Sequence, residues 1–316
     1  MFLAILLFVI GIVLIVKGGD FFVDAASWIA EVSGIPKFVV GATVVSLATT
    51  LPELLVSSMA ASKGQVDMAI GNAIGSVTAN TGLIMAIGVF FMVPAMKRKD
   101  LLPKGILLVV TIGALWILSM GGSLTVRESI VMMVIFVVFL VINIIEGKQG
   151  AARASEEEKP EKDGKTIGIN ATKFVLGAAA IVIGSDLLVD NGTLIATDFL
   201  HIDPKIIALT AVAIGTSLPE LVTTVTAIVK KQSSLSVGNI IGANIIDCAL
   251  ILPVCAMISN GAIEVKPATV SMDMPVCGIV TLIMLVPSFF TQKFQKWQAI
   301  LAFAVYAVYL YFVCMA

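Results

Sequence analysis

Two glutamates lie in nearly identical sequence contexts within apolar stretches of this chain. Residues 48–53 read Ala-Thr-Thr-Leu-Pro-Glu, and residues 215–220 read Gly-Thr-Ser-Leu-Pro-Glu. A buried carboxylate in a membrane helix is unfavourable unless a cation or a polar partner compensates its charge. A proline within a helix has no N–H, so a backbone carbonyl near Ala48 or Gly215 loses its usual donor. Carboxylate, hydroxyl and free carbonyl oxygens are ligands that Ca²⁺ and Na⁺ prefer. We therefore predict one cation site built by both motifs.

The composition is typical of a polytopic membrane protein. The 316 residues are 59% hydrophobic and 13% charged, with a mean hydropathy of +1.06, and no soluble domain has such a composition. The net charge of −1 and the lack of a basic-aromatic module argue against nucleic acid as a partner. The chain has no complete P-loop motif, so we expect neither a nucleotide nor another cofactor. Nothing in the sequence indicates an enzyme or an obligate protein partner.

Ten apolar runs of about 20 residues predict ten transmembrane helices in a lipid bilayer. Their approximate bounds are 2–30, 36–62, 67–93, 103–120, 124–146, 169–198, 204–230, 233–259, 268–288 and 295–315. The first and sixth runs are long, which predicts strong tilt or an extension beyond the hydrocarbon. Between the fifth and sixth runs, residues 147–168 carry mixed charge without apolar periodicity, and we predict a solvated cytoplasmic linker there.

The distribution of Lys and Arg sets the expected orientation. With both chain ends outside the cell, fifteen of these residues fall in inward segments and four in outward segments, while Lys17 lies within the first span. We therefore expect a multi-pass protein of the cell membrane whose two termini are extracellular.

The two halves of the chain repeat each other. Glu220 follows Glu53, and Asp247 follows Asn80, by the same 167 residues. This duplication defines a first repeat, residues 1–146 with its motif at 41–80, and a second repeat, residues 169–316 with its motif at 208–247. Because each repeat holds five spans, the second must enter the membrane from the opposite face. We predict an all-α integral membrane fold of two inverted five-helix repeats, with broken helices 2 and 7 around a midplane cation site.

The motifs resemble the α-repeats of the cation/Ca²⁺ exchanger superfamily. The resemblance rests on residues 215–220, on residues 238–247 (Gly-Asn-Ile-Ile-Gly-Ala-Asn-Ile-Ile-Asp) and on their copies in the first half. The archaeal and bacterial sodium/calcium exchangers are the most similar members, and the resemblance covers essentially the whole chain. It implies a secondary active antiporter that exchanges Ca²⁺ for Na⁺ by alternating access.

The resemblance also implies a set of ion ligands. Ca²⁺ would be bound by Glu53 and Glu220 with the backbone carbonyls of Thr49 and Thr216. The flanking Na⁺ sites would share both glutamates and add Thr50, Ser217, Ser76 and the carbonyls of Ser46 and Ala213. The polar residues Asn80 and Asp247 would line the centre. Because one divalent ion or several monovalent ions can neutralise the same two carboxylates, binding of the two kinds of ion would be mutually exclusive.

One departure from the family pattern concerns the counter-ion. Sodium/calcium members typically carry Ser at the position of Ala243, the counterpart of Ser76, so one hydroxyl ligand is lost on the inward side. A Ca²⁺/H⁺ exchanger and a K⁺-dependent Na⁺/Ca²⁺ exchanger with the same site therefore remain alternatives. The stoichiometry, the oligomeric state and the direction of transport in the cell stay open at this point.

Two other functional classes fit the sequence less well. An intramembrane hydrolase would use acidic residues as an acid-base pair, but the chain has no Gly-X-Gly-Asp or His-Glu-X-X-His motif. The filter of an ion channel usually arises from subunit symmetry around an axis normal to the membrane, whereas inverted repeats favour alternating access.

The first and sixth spans are expected to move. Both are long and carry glycines that permit close, sliding contact, and we expect them to slide against a rigid core of the other eight spans. Their repeated acidic residues are interpreted as interfacial or capping residues rather than as ion ligands; these are Asp20, Asp24, Asp186 and Asp190.

Overall fold

The computed structural model describes residues 2–93, 98–154, 163–198 and 217–315. Helices make up nearly all of this part of the chain, which confirms the predicted all-α membrane class. The helices of the first half are α1 (Phe2–Ser33), α2 (Lys37–Val40), α3 (Ser46–Thr49), α4 (Leu51–Ser62), α5 (Val66–Ala79), α6 (Ala86–Met92), α7 (Arg98–Ser119) and α8 (Val126–Ala154). Those of the second half are α9 (Gly164–Asp198), α10 (Leu218–Val229), α11 (Ser233–Ile246), α12 (Leu252–Ile258), α13 (Met274–Thr291) and α14 (Lys296–Met315).

Four segments of wider π-helix interrupt these elements. They lie between α2 and α3 (Gly41–Val45), between α5 and α6 (Asn80–Met85), between α11 and α12 (Asp247–Ile251) and before α13 (Thr269–Asp273). Single π-helical turns inside α-helices occur frequently at functional sites. Two of the four begin at the polar residues Asn80 and Asp247, which are repeat counterparts.

Eight helical segments in the described part of the chain are long and apolar enough to cross a membrane, when elements joined by a π-helical segment, such as α5 and α6, are counted as one. A ninth span consists of residues 37–49 and α4, which meet at a bend of 45°. The shorter apolar helix α10 is the described part of the predicted span 204–230.

The predicted linker at residues 147–168 is partly helical. The helix α8 continues to Ala154 and α9 begins at Gly164, so both ends of that stretch belong to helices. The absence of apolar periodicity does not prevent helix formation. Lys, Glu, Gln and Ala, which are frequent here, all favour helix.

Two short strands were not predicted. Residues Ser123–Thr125 (β1) pair antiparallel with Ala262–Glu264 (β2), with Leu124 opposite Ile263. Both of these side chains are buried, so the two-stranded ribbon ties one end of the first repeat to the second repeat.

The residue before each proline-containing helix has the same backbone geometry in both repeats. Before α4, Thr50 has φ −85° and ψ 0°, and before α10, Ser217 has φ −87° and ψ 7°. Pro52 and Pro219 follow in the first helical turn, where a missing N–H is tolerated. The hydrogen-bond ladder resumes at once, from Leu54 N to the Thr50 carbonyl at 3.1 Å in the first repeat. The glutamates therefore sit in the first turns of two helices that start inside the protein.

Glycines allow α11 of the second repeat to lie directly on the broken span of the first. A Cβ atom at Gly238 would lie 2.2 Å from the Phe38 carbonyl oxygen, and one at Gly41 would lie 2.2 Å from the Leu235 carbonyl oxygen. A Cβ at Gly242 would likewise lie 2.5 Å from the Ala42 carbonyl oxygen, so close packing explains both glycines of α11. For their counterparts Gly71 and Gly75, no described atom lies within 4 Å of such a Cβ.

Adding a methyl group at this contact should destabilise the protein. We expect Gly238→Ala to lower the free energy of unfolding by about 2 kcal/mol or more, as overpacking of a rigid contact does, because the backbone of Phe38 cannot rotate away. The measurement is the apparent melting temperature of purified protein in detergent. Gly113→Ala in α7 is the control, since no described atom lies within 4 Å of its Cβ position. Equal melting temperatures of the two variants would contradict the prediction.

The helices α1 and α9 form an antiparallel pair. Gly11 faces Gly184 and Gly18 faces Gly177, and in each case an added Cβ would lie 2.9 Å from the facing carbonyl oxygen. The rings of Phe22 and Phe174 continue this contact at a centroid distance of 4.6 Å. The expected glycine contacts therefore join the first and sixth spans to each other.

An ion-pair cluster links α1 to the end of α10. Lys230 Nζ lies 2.7 Å from Asp24 Oδ1 and 3.4 Å from Asp20 Oδ1, and it also donates to the Asp20 carbonyl at 3.1 Å. These two aspartates thus have a specific basic partner, which the sequence interpretation did not predict.

A buried ion pair holds part of the core together. Lys104 of α7, one of the fifteen Lys and Arg residues that the orientation count places in inward segments, is fully buried. It pairs with Glu146 of α8 and lies 4.7 Å from the ring centroid of Phe38. Its burial removes one residue from the charge count, which still favours the same orientation by fourteen to four. Breaking such a pair leaves an uncompensated buried charge, which keeps α7 and α8 together. Through its contact with Phe38, Lys104 also joins these two helices to the start of the broken span.

Candidate cation site

The two motif glutamates are buried at the breaks of their helices. Glu53 is 1% exposed and Glu220 is 0% exposed, although both belong to first turns that would normally face solvent or lipid headgroups. The N-terminal turn of a helix presents unpaired N–H groups and a positive dipole end. Each break therefore supplies a favourable electrostatic environment for a carboxylate inside the protein.

The described residues bring Glu220 together with side chains from both repeats. The Thr49 hydroxyl of the first repeat faces the Glu220 carboxyl, and Asp247 lies close enough to Glu220 for the two carboxyl groups to interact electrostatically. Asp247 is 0% exposed, and its carboxyl oxygens accept no hydrogen bond from the described residues. Two acidic groups with a shared environment of this kind attract cations strongly, because the surrounding protein screens charge poorly.

The counterpart of Asp247 in the first repeat is neutral and differently bonded. Asn80 donates from Nδ2 to Asn244 Oδ1 at 3.1 Å, and Asn244 Nδ2 donates to Thr81 Oγ1 at 2.8 Å. Asn244 lies one helical turn before Asp247, where a π-helical segment begins. These hydrogen bonds therefore join the two repeats next to the acidic pair of Glu220 and Asp247.

The expected Na⁺ ligands of the first repeat are buried, Ser46 and Thr50 near the helix break and Ser76 in α5. Ser46, Thr50 and Ser76 are each at most 2% exposed. The Ser46 carbonyl already accepts bonds from the Thr50 hydroxyl at 2.5 Å and the Thr50 N–H at 2.9 Å. A Na⁺ ion at this carbonyl would have to displace the hydroxyl hydrogen, which would leave the Thr50 oxygen as a second ligand.

The second repeat contributes one described hydroxyl to the expected Na⁺ ligands. The Ser217 hydroxyl is buried and has no hydrogen-bond partner among the described residues. Thr216 and Ala213, which were predicted as ligands, lie outside the residues that the structure describes. Ala243 is fully buried in α11, so the position that lacks a hydroxyl faces the protein interior.

Acidic side chains alone do not form a metal cluster. In the described part of the chain, no three Asp, Glu, His or Cys side chains are placed to hold one metal ion. A cation between Glu53 and Glu220 would therefore also need hydroxyl and backbone carbonyl oxygens, which are the kinds of ligand that the predicted set contains.

A network of buried amides and hydroxyls surrounds the site and was missed in the sequence interpretation. Asn72 donates to Ser57 Oγ at 2.9 Å and reaches the Glu53 carbonyl at 3.4 Å. Its repeat counterpart Asn239 donates to Thr223 Oγ1 at 2.9 Å, and Thr223 donates to the Glu220 carbonyl at 3.0 Å. The available signal was an amide at the same register in two apolar spans, since Asn72 and Asn239 also lie 167 residues apart.

Comparisons with known proteins agree with this architecture. The sequence model of the family described as sodium/calcium exchanger protein matches residues 3–145 and 170–315. The sodium/calcium exchanger MaX1 of Methanosarcina acetivorans is 31% identical over 96% of this chain and 97% of its own length. The inner membrane protein YrbG of Escherichia coli is 34% identical over 90% of this chain and 88% of its own length.

The fold is also that of a solved exchanger. The structure of the sodium-calcium exchanger NCX_Mj, soaked with Na⁺ and Sr²⁺, superimposes with a TM-score of 0.84 at 27% sequence identity, covering 97% of both chains. With the family model matched in both halves of the chain, this protein belongs to the sodium/calcium exchanger family of membrane ion exchangers.

Proposed function

We propose that this protein is a secondary active antiporter that exchanges Ca²⁺ for Na⁺ across the cell membrane. The observation that carries the proposal is the pair of buried glutamates at equivalent helix breaks, with Thr49 of the first repeat facing Glu220 of the second. In this proposal Ca²⁺ is held by Glu53, Glu220 and the carbonyls of Thr49 and Thr216. Na⁺ uses the same glutamates together with Thr50, Ser217, Ser76 and the carbonyls of Ser46 and Ala213.

Shared ligands couple the two fluxes. One Ca²⁺ ion neutralises two carboxylates, and Na⁺ ions that use the same carboxylates are repelled while it is bound. If three Na⁺ ions exchange for one Ca²⁺ ion, one net charge crosses per cycle, which is worth about 2.3 kcal/mol per 100 mV of membrane potential. The Na⁺ gradient and the membrane potential together would then supply the energy.

Alternating access would come from motion of the α1–α9 pair. The glycine contact keeps these two long helices together. The ion pair of Lys104 joins α7 to α8, and the glycine contacts of α11 join the second repeat to the broken span of the first, so in this proposal the other spans move as one body. Sliding of the pair along that body would expose the glutamates first to one side and then to the other. With both termini extracellular, Lys230 lies on the cytoplasmic side.

Two alternatives use the same site with another counter-ion. Ala243 removes one hydroxyl from the second repeat, and a proton can replace a bound cation on a carboxylate. A Ca²⁺/H⁺ exchanger or a K⁺-dependent Na⁺/Ca²⁺ exchanger would follow from weaker Na⁺ binding at that position.

The decisive experiment measures ⁴⁵Ca²⁺ uptake by purified protein in proteoliposomes under one imposed gradient at a time. We expect an outward Na⁺ gradient alone to drive uptake well above that of protein-free vesicles, since Na⁺ leaving the site frees both carboxylates for Ca²⁺. Uptake driven by a pH gradient without Na⁺, or uptake that requires added K⁺, would replace Na⁺ by the corresponding counter-ion scheme. Ca²⁺ movement without any gradient of a counter-ion would indicate a channel instead.

A further inference from the structure

Asn239 of α11 connects the two repeats at the candidate cation site. Its side-chain nitrogen donates to Thr223 Oγ1 at 2.9 Å, and Thr223 Oγ1 donates to the Glu220 carbonyl at 3.0 Å. Its side-chain oxygen accepts from Thr49 Oγ1 at 3.2 Å, across 190 residues of sequence. All four residues are at most 3% exposed, so water does not compete for these bonds.

The number of hydrogens fixes the direction of each bond. The Thr223 hydroxyl has one hydrogen, which it donates to the Glu220 carbonyl, so towards Asn239 it can only accept. The amide nitrogen of Asn239 must therefore face Thr223, and its oxygen must face Thr49. Thr49 Oγ1 has Asn239 Oδ1 at 3.2 Å and the Ser46 carbonyl at 3.4 Å, whereas neither oxygen of the nearby Glu220 carboxyl accepts a hydrogen bond within the described part of the chain. Thr49 therefore donates its single hydrogen to the nearer acceptor, Asn239.

This arrangement determines what Glu220 can bind. The Thr49 hydroxyl also faces the Glu220 carboxyl, whose oxygens accept no hydrogen bond from the described residues. With its hydrogen directed to Asn239, Thr49 leaves the carboxylate open to a cation. Without that acceptor, the hydroxyl would turn its hydrogen to the carboxylate in a charge-assisted bond, and an arriving cation would have to break it.

We propose that Asn239 is a positioning residue that holds the Thr49 hydrogen away from Glu220 and so keeps the carboxylate available for the transported cation. The proposal rests on the proposed exchange function and adds a residue that binds no ion itself. A side chain of the second repeat, Asn239, thus sets the direction in which a hydroxyl of the first repeat, that of Thr49, donates its hydrogen.

The test uses Asn239→Leu, which has a similar volume but neither donor nor acceptor. Ca²⁺ uptake in proteoliposomes is measured against external Ca²⁺ concentration, under the gradient that drives the wild-type protein. We expect the half-saturating Ca²⁺ concentration to rise about tenfold, the effect of a net hydrogen bond of ordinary strength, with a smaller change in maximal rate. An unchanged half-saturating concentration would overturn the proposal.

A second background separates positioning from packing. Thr49→Val keeps the backbone carbonyl but has no hydrogen to donate to Glu220. If Asn239 acts through that hydrogen, Asn239→Leu should have no further effect on the half-saturating concentration in the Thr49→Val background. A tenfold rise in both backgrounds would mean that Asn239 acts through packing, and would refute the proposed role.

Two further variants complete the design. Ser236→Ala removes a bond of 3.0 Å to Thr224 between the same two helices, and it should leave the half-saturating concentration within about twofold of wild type. Thr223→Val tests the proposal independently should Asn239→Leu not accumulate in the membrane: we expect a rise of about threefold, and no rise would count against it. If wild-type protein moves no Ca²⁺ under any gradient, the proposed function fails as well; if it does and Asn239→Leu is unchanged, only this inference fails.

Discussion

Replacing either motif glutamate by glutamine should abolish Ca²⁺ exchange. We expect Glu53→Gln and Glu220→Gln each to reduce Na⁺-driven ⁴⁵Ca²⁺ uptake at least 100-fold, to the level of protein-free vesicles. Both side chains are almost completely buried. The attraction between a carboxylate and a cation is strong in a protein interior that screens charge weakly, so the loss of one carboxylate charge should have a large effect. Glutamine keeps the shape of the glutamate side chain and one oxygen ligand, so the loss of Ca²⁺ uptake measures the contribution of the negative charge.

The matched control is an acidic residue outside the site. Asp67 at the start of α5 is 55% exposed on its side chain and pairs with Lys266 at 2.8 Å. Exposed pairs of this kind contribute little to stability, so Asp67→Asn should transport at close to the wild-type rate. Full activity of both glutamine variants, with equal amounts of protein in the vesicles, would remove the central claim of the proposed function.

A disulfide between α1 and α10 should stop the transport cycle. A Cβ atom at Gly19 would lie 3.7 Å from the Cβ of Thr226, and disulfides have a mean Cβ separation of about 3.8 Å. We therefore expect Gly19→Cys with Thr226→Cys to crosslink in this conformation. If α1 must slide past the core, oxidised protein should retain less than a tenth of the exchange rate of the reduced protein, and a reductant should restore it.

The controls for this lock are the two single-cysteine variants, Gly19→Cys and Thr226→Cys, which carry the same substitutions but cannot form the disulfide. Each should exchange at the same rate under oxidising and reducing conditions. All variants are made after replacement of the four native cysteines: Cys248, Cys255, Cys277 and Cys314. Full exchange by the oxidised double-cysteine protein would show that α1 does not slide against α10.

Much of the fold follows from local pattern. In the described part of the chain, the length of the apolar runs predicted most span bounds to within about five residues, because the bilayer core requires a fixed number of apolar residues per helix. The fifth span is longer than predicted, since α8 continues to Ala154. The Leu-Pro-Glu motifs predicted the break before α4 and the start of α10, since a missing N–H and a fixed φ act on the nearest turn. Helices α8 and α9 extend into the two ends of the predicted linker, because Lys, Glu and Ala favour helix even without an apolar face.

The candidate ligands could be named from the sequence for a related reason. Equal spacing in the two halves places equivalent residues at equivalent depths, and residues four apart share a helix face. This was sufficient to select Glu53, Glu220 and Asp247 as buried acidic residues. It was also sufficient to identify the loss of a hydroxyl at Ala243.

Sequence pattern alone therefore determined the membrane class, the inverted repeats, the helix breaks and the acidic residues, all of which depend on interactions within one turn or one span. The tertiary structure decided which atoms meet across the repeats: the Thr49 hydroxyl with the Asn239 amide, Lys230 with the aspartates of α1, and Lys104 with Glu146. Such partners lie far apart along the chain, and their meeting depends on how each helix is rotated and tilted against its neighbours. Packing of the whole helix bundle sets that rotation, because glycine contacts and side-chain volumes from several spans must be satisfied together.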